Sequence, residues 1–322
     1  MFPGTGSNPE VEWTARRQQG VLTRDQLRSL GVHRSDVRNH LAAQRWTALG
    51  PRVILLRNSP PTRRQLMWWA VLDAGVTAAV CSHTSLELAG MKSFADEAKA
   101  VHLLIPRGAK VTPHSVVVVH ESRRLGEERW TDSRGLPRTE TPRSVIDAAA
   151  WQRWPRFACL MIAAAVQQRL CTAVDLDEAL GYVGRVRHKQ YMRLALRDAA
   201  GGAESLGEID VARLCARFGL VAPVRQTLRH DSAGRRRYLD CEWVMPDGAV
   251  VVLEIDGGHH MDVANWQDDM RRERSVVRTR ALVLRATAFE VRVEPHLIAA
   301  DLVAIGVPRL VRTSAPNMVS NF

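Results

Sequence analysis

The chain has 322 residues, of which 46% are hydrophobic and 25% charged, which suits two or three globular domains and excludes a disordered protein. No apolar run approaches the ~18 residues of a membrane span, and the start, MFPGTGSNPEVEWTARR, lacks a basic segment followed by an apolar one, so a cytoplasmic protein with no membrane partner is expected. Five scattered cysteines without a CxxC pair argue against a disulfide framework or a zinc ribbon, while a net charge of +11 favours a polyanionic partner, nucleic acid first.

Residues 11–57 read as three short helical patterns followed by a ribbon. TRDQLRSLG opens on Thr23 as an N-cap and closes on Gly31. HRSDVRNHLAAQR follows after a very short turn, with Val37 and Leu41 at helical spacing, and WTALGPRVILL reads as two strands turning at Gly50-Pro51. Helix, tight turn, helix, ribbon is the order of a winged helix-turn-helix. Its second helix carries Arg34, Arg38, His40 and Arg45, suited to phosphate and groove contacts, although the same face could simply be solvated. The stretch from Gly20 to Leu56 resembles the N-terminal domain of AbiEi-family antitoxins, which are winged-helix autoregulators. RRQLMWWAVLDAGVTAAVCSHTSLELAGM, VHLLIPRG, VVVVHESRRL and GLPRTETPRSVIDAAA are similar to the helices and strands that follow in that family. The resemblance implies DNA binding and a toxin or other protein as a further partner.

Residues 141–200 show helical apolar spacing throughout, in TPRSVIDAAAW, RFACLMIAAAVQQRL and VDLDEALGYVGRVRHKQYMRLALRDAA, with nothing catalytic among them. AAGGAES marks a hinge. Beyond it the order is helix (LGEIDVARLCARFGL), strand (VRQTLRH), strand (RRYLDCEWVM), a turn at Pro246-Asp247-Gly248, and strand (AVVVLEIDG). A helix (DVANWQDDMRRERSVVRTR), a strand (ALVLRA) and a last helix (AFEVRVEPHLIAADLVAIG) complete it. A three-stranded meander extended by a crossover strand, with helices over the sheet, is the expected result.

Within this region VVVLEIDGGHH ends a buried-type strand in two acids, two glycines and two histidines. Residues two apart share a strand face, so Glu254 and Asp256 project together. Asp240 lies mid-strand opposite the face of Leu239, Cys241 and Trp243, and the tight turn brings its strand beside the other. Carboxylates gathered in this way suit Mg2+ or Mn2+, and His260 is placed for metal binding or proton transfer. Each residue also has a plainer reading. Asp256-Gly257 could be only a turn, Ser205 to Glu208 is a complete capping box, and Asp268 and Asp269 could pair with Arg271 and Arg272 along a helix.

Asp240, then Glu254-x-Asp256, then Gly-Gly-x-His resembles the PD-(D/E)XK nucleases, and more narrowly an uncharacterised domain related to very-short-patch-repair endonucleases. Ser205 and Glu208 at a helix start, Asp268, Asp269, Arg271 and Arg272 in a charged helix, and Leu284-Arg285 in a strand match that domain's order. The resemblance implies a metal-dependent endonuclease with Glu208, Asp240, Glu254, Asp256 and His260 as its catalytic set. Asp240, Glu254 and Asp256 would hold the metal, and Arg271 and Arg272 would contact nucleic acid. One departure is that Asp256 stands where the superfamily more often has lysine, and no lysine follows Lys189.

The expected architecture is therefore a multidomain α+β chain. It comprises a winged helix-turn-helix over 1–60, an α/β region over 61–140, a helical region over 141–200, a restriction-endonuclease-like α/β domain over 201–306, and a flexible tail over 307–322. The expected function is nucleic-acid binding with a metal-dependent phosphodiesterase, acting on DNA. The alternative is a non-enzymatic regulator whose nuclease-like domain has decayed.

Overall fold

In the computed structural model, the described residues are 8–125, 130–133, 135–197, 199–200, 207–223, 225–230, 236–256, 276–278 and 281–310. They form a mixed α/β protein with three sheets. The chain divides into two compact units, one of residues 1–152 and 165–187, the other of residues 153–164 and 188–322.

The first unit begins with α1 (Pro9–Arg17), β1 (Val21–Thr23), α2 (Arg24–Ser29), α3 (Arg34–Ala42), β2 (Thr47–Ala48) and β3 (Val53–Leu55). The Thr23 hydroxyl accepts from the Gln26 amide while the Gln26 side chain accepts from the Thr23 amide. This capping box satisfies two donors that the first turn of α2 would leave unpaired. Gly31, at φ 82°, then lets the chain reverse into α3. β1 is three residues long, too short for its alternation to be legible. It pairs antiparallel with β3, which also pairs with β2. Val11, Leu22, Leu27, Val37, Trp46, Ile54 and Leu56 close a core among these elements.

The unit continues with α4 (Arg63–Asp73), β4 (Ala79–Val80), α5 (Ser82–Ala89), β5 (Val101–Pro106), β6 (Val117–Ser122), β7 (Trp130–Ser133), β8 (Leu136–Thr139) and α6 (Thr141–Ala150). The sheet order is β6-β5-β4-β8-β7. β5 is almost wholly buried, as its apolar sequence, interrupted by His102 alone, requires. Trp68, Val71, Val101, Leu103 and Leu136 belong to the core between α4 and this sheet. α7 (Pro155–Gln167), which belongs to the second unit up to Ala164, α8 (Ala173–Tyr182), in the first unit, and α9 (Lys189–Arg197), in the second, follow. The pattern expected to run unbroken from Val174 is interrupted between α8 and α9, where Gly184 (φ 72°) and His188 (φ 61°) turn out of helical geometry.

The second unit contains α10 (Gly207–Phe218), β9 (Arg225–His230), β10 (Arg236–Val244), β11 (Val250–Asp256), β12 (Val276–Arg278), β13 (Ala281–Thr287), α11 (Ala288–Val293) and α12 (Pro295–Ala304). Its sheet order is β12-β13-β11-β10-β9. β9, β10 and β11 form the expected antiparallel meander, turning at Gly248 (φ 78°), and β13 joins parallel to β11. Two expectations need correction. The helix expected through Arg280 does not reach that far, because residues 276–278 are a strand antiparallel to β13. The last helix is two helices, since Pro295 has no N–H to donate and its ring cannot follow a continuing helix. Val211, Leu214, Cys241, Trp243, Leu253, Ile255, Leu284 and Leu302 form the core on one sheet face, and the Trp243 indole N–H donates to Val221 O at 2.7 Å. Residues 307–310, expected to begin a loose tail, are held instead. The Val221 amide donates to Pro308 O and the Leu310 amide donates to Gly219 O. Residues 201–205 of the hinge expected at 199–205, and the tail beyond Leu310, lie outside the described residues. No described helix is long and apolar enough to cross a membrane.

Candidate functional site

The expected acid constellation is built by strand register. The antiparallel pairing of β10 and β11 sets Asp240 directly opposite Glu254, with Leu239 opposite Ile255 and Cys241 opposite Leu253. Cys241, Leu253 and Ile255 in the flanking pairs are buried, so alternation assigns positions 240 and 254 to the sheet face away from the core. Asp256 is two residues further along β11, on the same face. On the parallel side, β13 sets Arg285 opposite Glu254 and Thr287 opposite Asp256. Arg285 is exposed between buried Leu284 and Ala286, which puts it on the acid face as well. In directly opposed strand pairs the Cβ atoms are about 5 Å apart. Glu208 is the second residue of α10. His260, Arg271 and Arg272, together with Asp268 and Asp269, lie outside the described residues. Among the residues whose side chains the structure describes, which do not include Asp240, Glu254 and Asp256, no group of three or more His, Cys, Asp or Glu is placed to hold a metal ion.

In the first unit, Arg34 and Arg38 are one helical turn apart on α3, and both are exposed, as is Arg45 just beyond the helix. Val37, on an adjoining side of α3, packs into the core. His40 does not join this basic surface. Its ring stacks on Trp46, with centroids 4.2 Å apart and planes at 23°.

A second constellation escaped the sequence reading. His83 on α5, His102 on β5 and His120 on β6 gather with Trp151, at the C-terminal end of α6, to form a continuous aromatic contact. The His120 ring lies on Trp151 at 3.6 Å and 5°. His102 Nε2 is 3.0 Å from Glu97 O, which can only accept, so that nitrogen carries the proton. In the neutral ring Nδ1 is then the acceptor, and His120 Nε2 donates to it at 3.0 Å. Ser82, buried with φ 48°, places its hydroxyl 3.1 Å from His83 Nδ1. Burial first, then the neighbouring His102, pushes His83 down to about 4. Burial and the other two histidines push His120 down to about 3. His102 is lowered mainly by burial. Beside His83 opens a cleft of about 410 Å³, lined among others by Arg63, Leu86, Glu87 and Phe94. Three imidazoles held neutral at pH 7 can hydrogen-bond and pack, but they are too weakly basic to serve as efficient general bases. The local signal was the quoted SHTS segment. Its partners on β5 and β6 carry no local mark.

No protein-family model matches the chain, and no curated protein matches it.

Proposed function

We propose that the second unit hydrolyses phosphodiester bonds in nucleic acid, DNA before RNA, using Mg2+ or Mn2+ held by Asp240, Glu254 and Asp256. The observation that carries this reading is the direct opposition of Asp240 and Glu254 on the sheet face away from the core. An all-carboxylate donor set suits a hard divalent cation, so these residues fit the metal. A cation so held supplies charge stabilisation at phosphorus and a more acidic bound water.

The protein's own groups do the rest. Arg285, opposite Glu254 on β13, offers a guanidinium to a phosphate oxygen on the same face. This partly offsets the lysine that the signature lacks. Glu208 stands at the start of α10 as a further acid, and the resemblance assigns proton transfer to His260 and phosphate neutralisation to Arg271 and Arg272. In the first unit, the segment from α1 to β3 acts as a winged helix-turn-helix. It grips the nucleic-acid backbone through Arg34, Arg38 and Arg45, which are exposed on and just after α3.

The rival reading is a regulator of AbiEi type with a decayed nuclease-like domain and a toxin or other protein as partner. It draws on the absence of lysine after Lys189. Cleavage of plasmid, single-stranded, mismatched and RNA substrates in Mg2+ and in Mn2+ separates the two. Metal-dependent cleavage by the wild type, lost in both Asp240→Ala and Glu254→Ala, is the expected result. No cleavage, with metal-independent binding unchanged in both variants, would overturn the enzymatic reading in favour of the regulator.

A further inference from the structure

The cleft beside His83 belongs to the first unit and takes no part in the chemistry of the carboxylate face. Its volume of about 410 Å³ falls within the range of small-molecule pockets. Its walls are mostly apolar, with Leu86 on α5 and Met91, Phe94, Ala95 and Ala98 in the segment leading to β5. His83 completes the lining. Both of its ring nitrogens are engaged, Nδ1 with the Ser82 hydroxyl at 3.1 Å and Nε2 with the Gln152 amide at 3.4 Å, so a ligand meets the ring itself. The Phe94 ring stands 6.3 Å from the His83 ring, with planes at 55°. Phe94 has φ 64°, a left-handed conformation that bulky residues seldom adopt and that gathers at ligand sites.

The charged groups at this cleft are already matched. Arg63 binds Glu87 at 2.9 Å and the carbonyl oxygens of Ala98, Lys99 and Ala100, and the Lys99 ammonium is 2.6 Å from Asp96. An ionic ligand would have to break one of these pairs to gain a partner, whereas an uncharged one leaves them intact. Rings at tilted angles and the Met91 thioether favour a further aromatic ring over an alkyl chain. Ser93, also in the lining, gives direction. The Lys92 amide donates to Gln168 Oε1 at 2.8 Å, which turns the NH2 of that side chain toward Ser93. Gln168 Nε2 donates to Ser93 Oγ at 2.9 Å, and the Ser93 hydroxyl can then donate to a ligand.

We propose that this cleft binds a small, uncharged aromatic molecule, no larger than a fused bicycle with short substituents, bearing a hydrogen-bond acceptor that the Ser93 hydroxyl recognises. The bound ring packs against His83, Met91 and Phe94 and fastens residues 91–99 onto α5. The site needs no metal, and it stands or falls apart from the nuclease reading.

The test uses the full chain and prodan, an uncharged naphthalene carrying one ketone oxygen, whose emission shifts to the blue out of water. Emission is titrated for the wild type, Ala95→Trp and Ser93→Ala, with melting temperature read alongside. Saturable binding at a single site and slower hydrogen exchange across residues 91–99 are expected in the wild type. Ala95 is exposed, so a tryptophan there fills the cleft without entering the core, and it should weaken binding at least about tenfold at an unchanged melting temperature. Ser93→Ala should weaken prodan about fivefold. It should leave unchanged the displacement of prodan by naphthalene, which has no acceptor. Absence of saturable binding, or equal prodan affinity in all three proteins, would overturn the proposal. Dodecanol displacing prodan at lower concentration than acetylnaphthalene does would overturn it in favour of an alkyl chain. Naphthoate doing so would overturn it in favour of an anion.

Discussion

Acid should loosen the first unit through its histidine stack. The folded pKa values of His83 and His120, about 4 and about 3, lie below the 6.5 of an unperturbed imidazole. As pH falls below 6.5 the unfolded chain therefore takes up protons that the folded one refuses. The stabilisation is complete above pH 6.5 and is lost progressively down to the folded values. At pH 5 each histidine should cost ~2 kcal/mol of stability relative to pH 7. His102, lowered as well, acts in the same direction. Hydrogen exchange of the β5 segment (Val101–Pro106), corrected for intrinsic rates and read by mass spectrometry at both pH values, reports the opening free energy where the stack sits. His120→Phe keeps a ring on Trp151 but removes one titrating group. It also removes the donor to His102, at a pH-independent cost of about 1 kcal/mol. Its acid-induced drop should be smaller than that of the wild type by ~2 kcal/mol. A wild-type drop below about 1 kcal/mol, or an identical drop in His120→Phe, would refute the argument.

Two other perturbations probe the frame around the candidate surfaces. Thr23→Ala removes half of the capping box on α2 and should cost about 1 kcal/mol, seen as a lower urea midpoint that Thr23→Ser restores. The Arg63 guanidinium binds Glu87 at 2.9 Å and the carbonyl oxygens of Ala98, Lys99 and Ala100. Arg63→Ala should cost about 2–3 kcal/mol and speed proteolysis within residues 95–100, and unaltered cleavage rates there would count against the role given to those bonds.

What the sequence carried was local. The Thr23 cap, the helical spacing of α10, the alternation of apolar residues in β10 and the apolar run of β11 each mark an element within a few residues. The short turn at Gly248 then fixed which residues oppose each other, because a tight turn allows little freedom of register. That is why the sequence could place Asp240 near Glu254 and Asp256, while the register of the paired strands decided that Asp240 stands opposite Glu254. β1 was not legible, since three residues show no period and it is a strand only through β3. The extent of the helix before β13 also failed, because Val276–Arg278 gains its hydrogen bonds from β13. The histidine stack and the cleft beside His83 belong wholly to tertiary structure. His83, His102 and His120 meet because α5, β5 and β6 pack together, and the cleft has its walls because Arg63 of α4 ties α5 to residues 98–100. Hydrophobic burial sets those packings, and it depends on the shape of whole faces rather than on the identity of the polar residues carried at their margins.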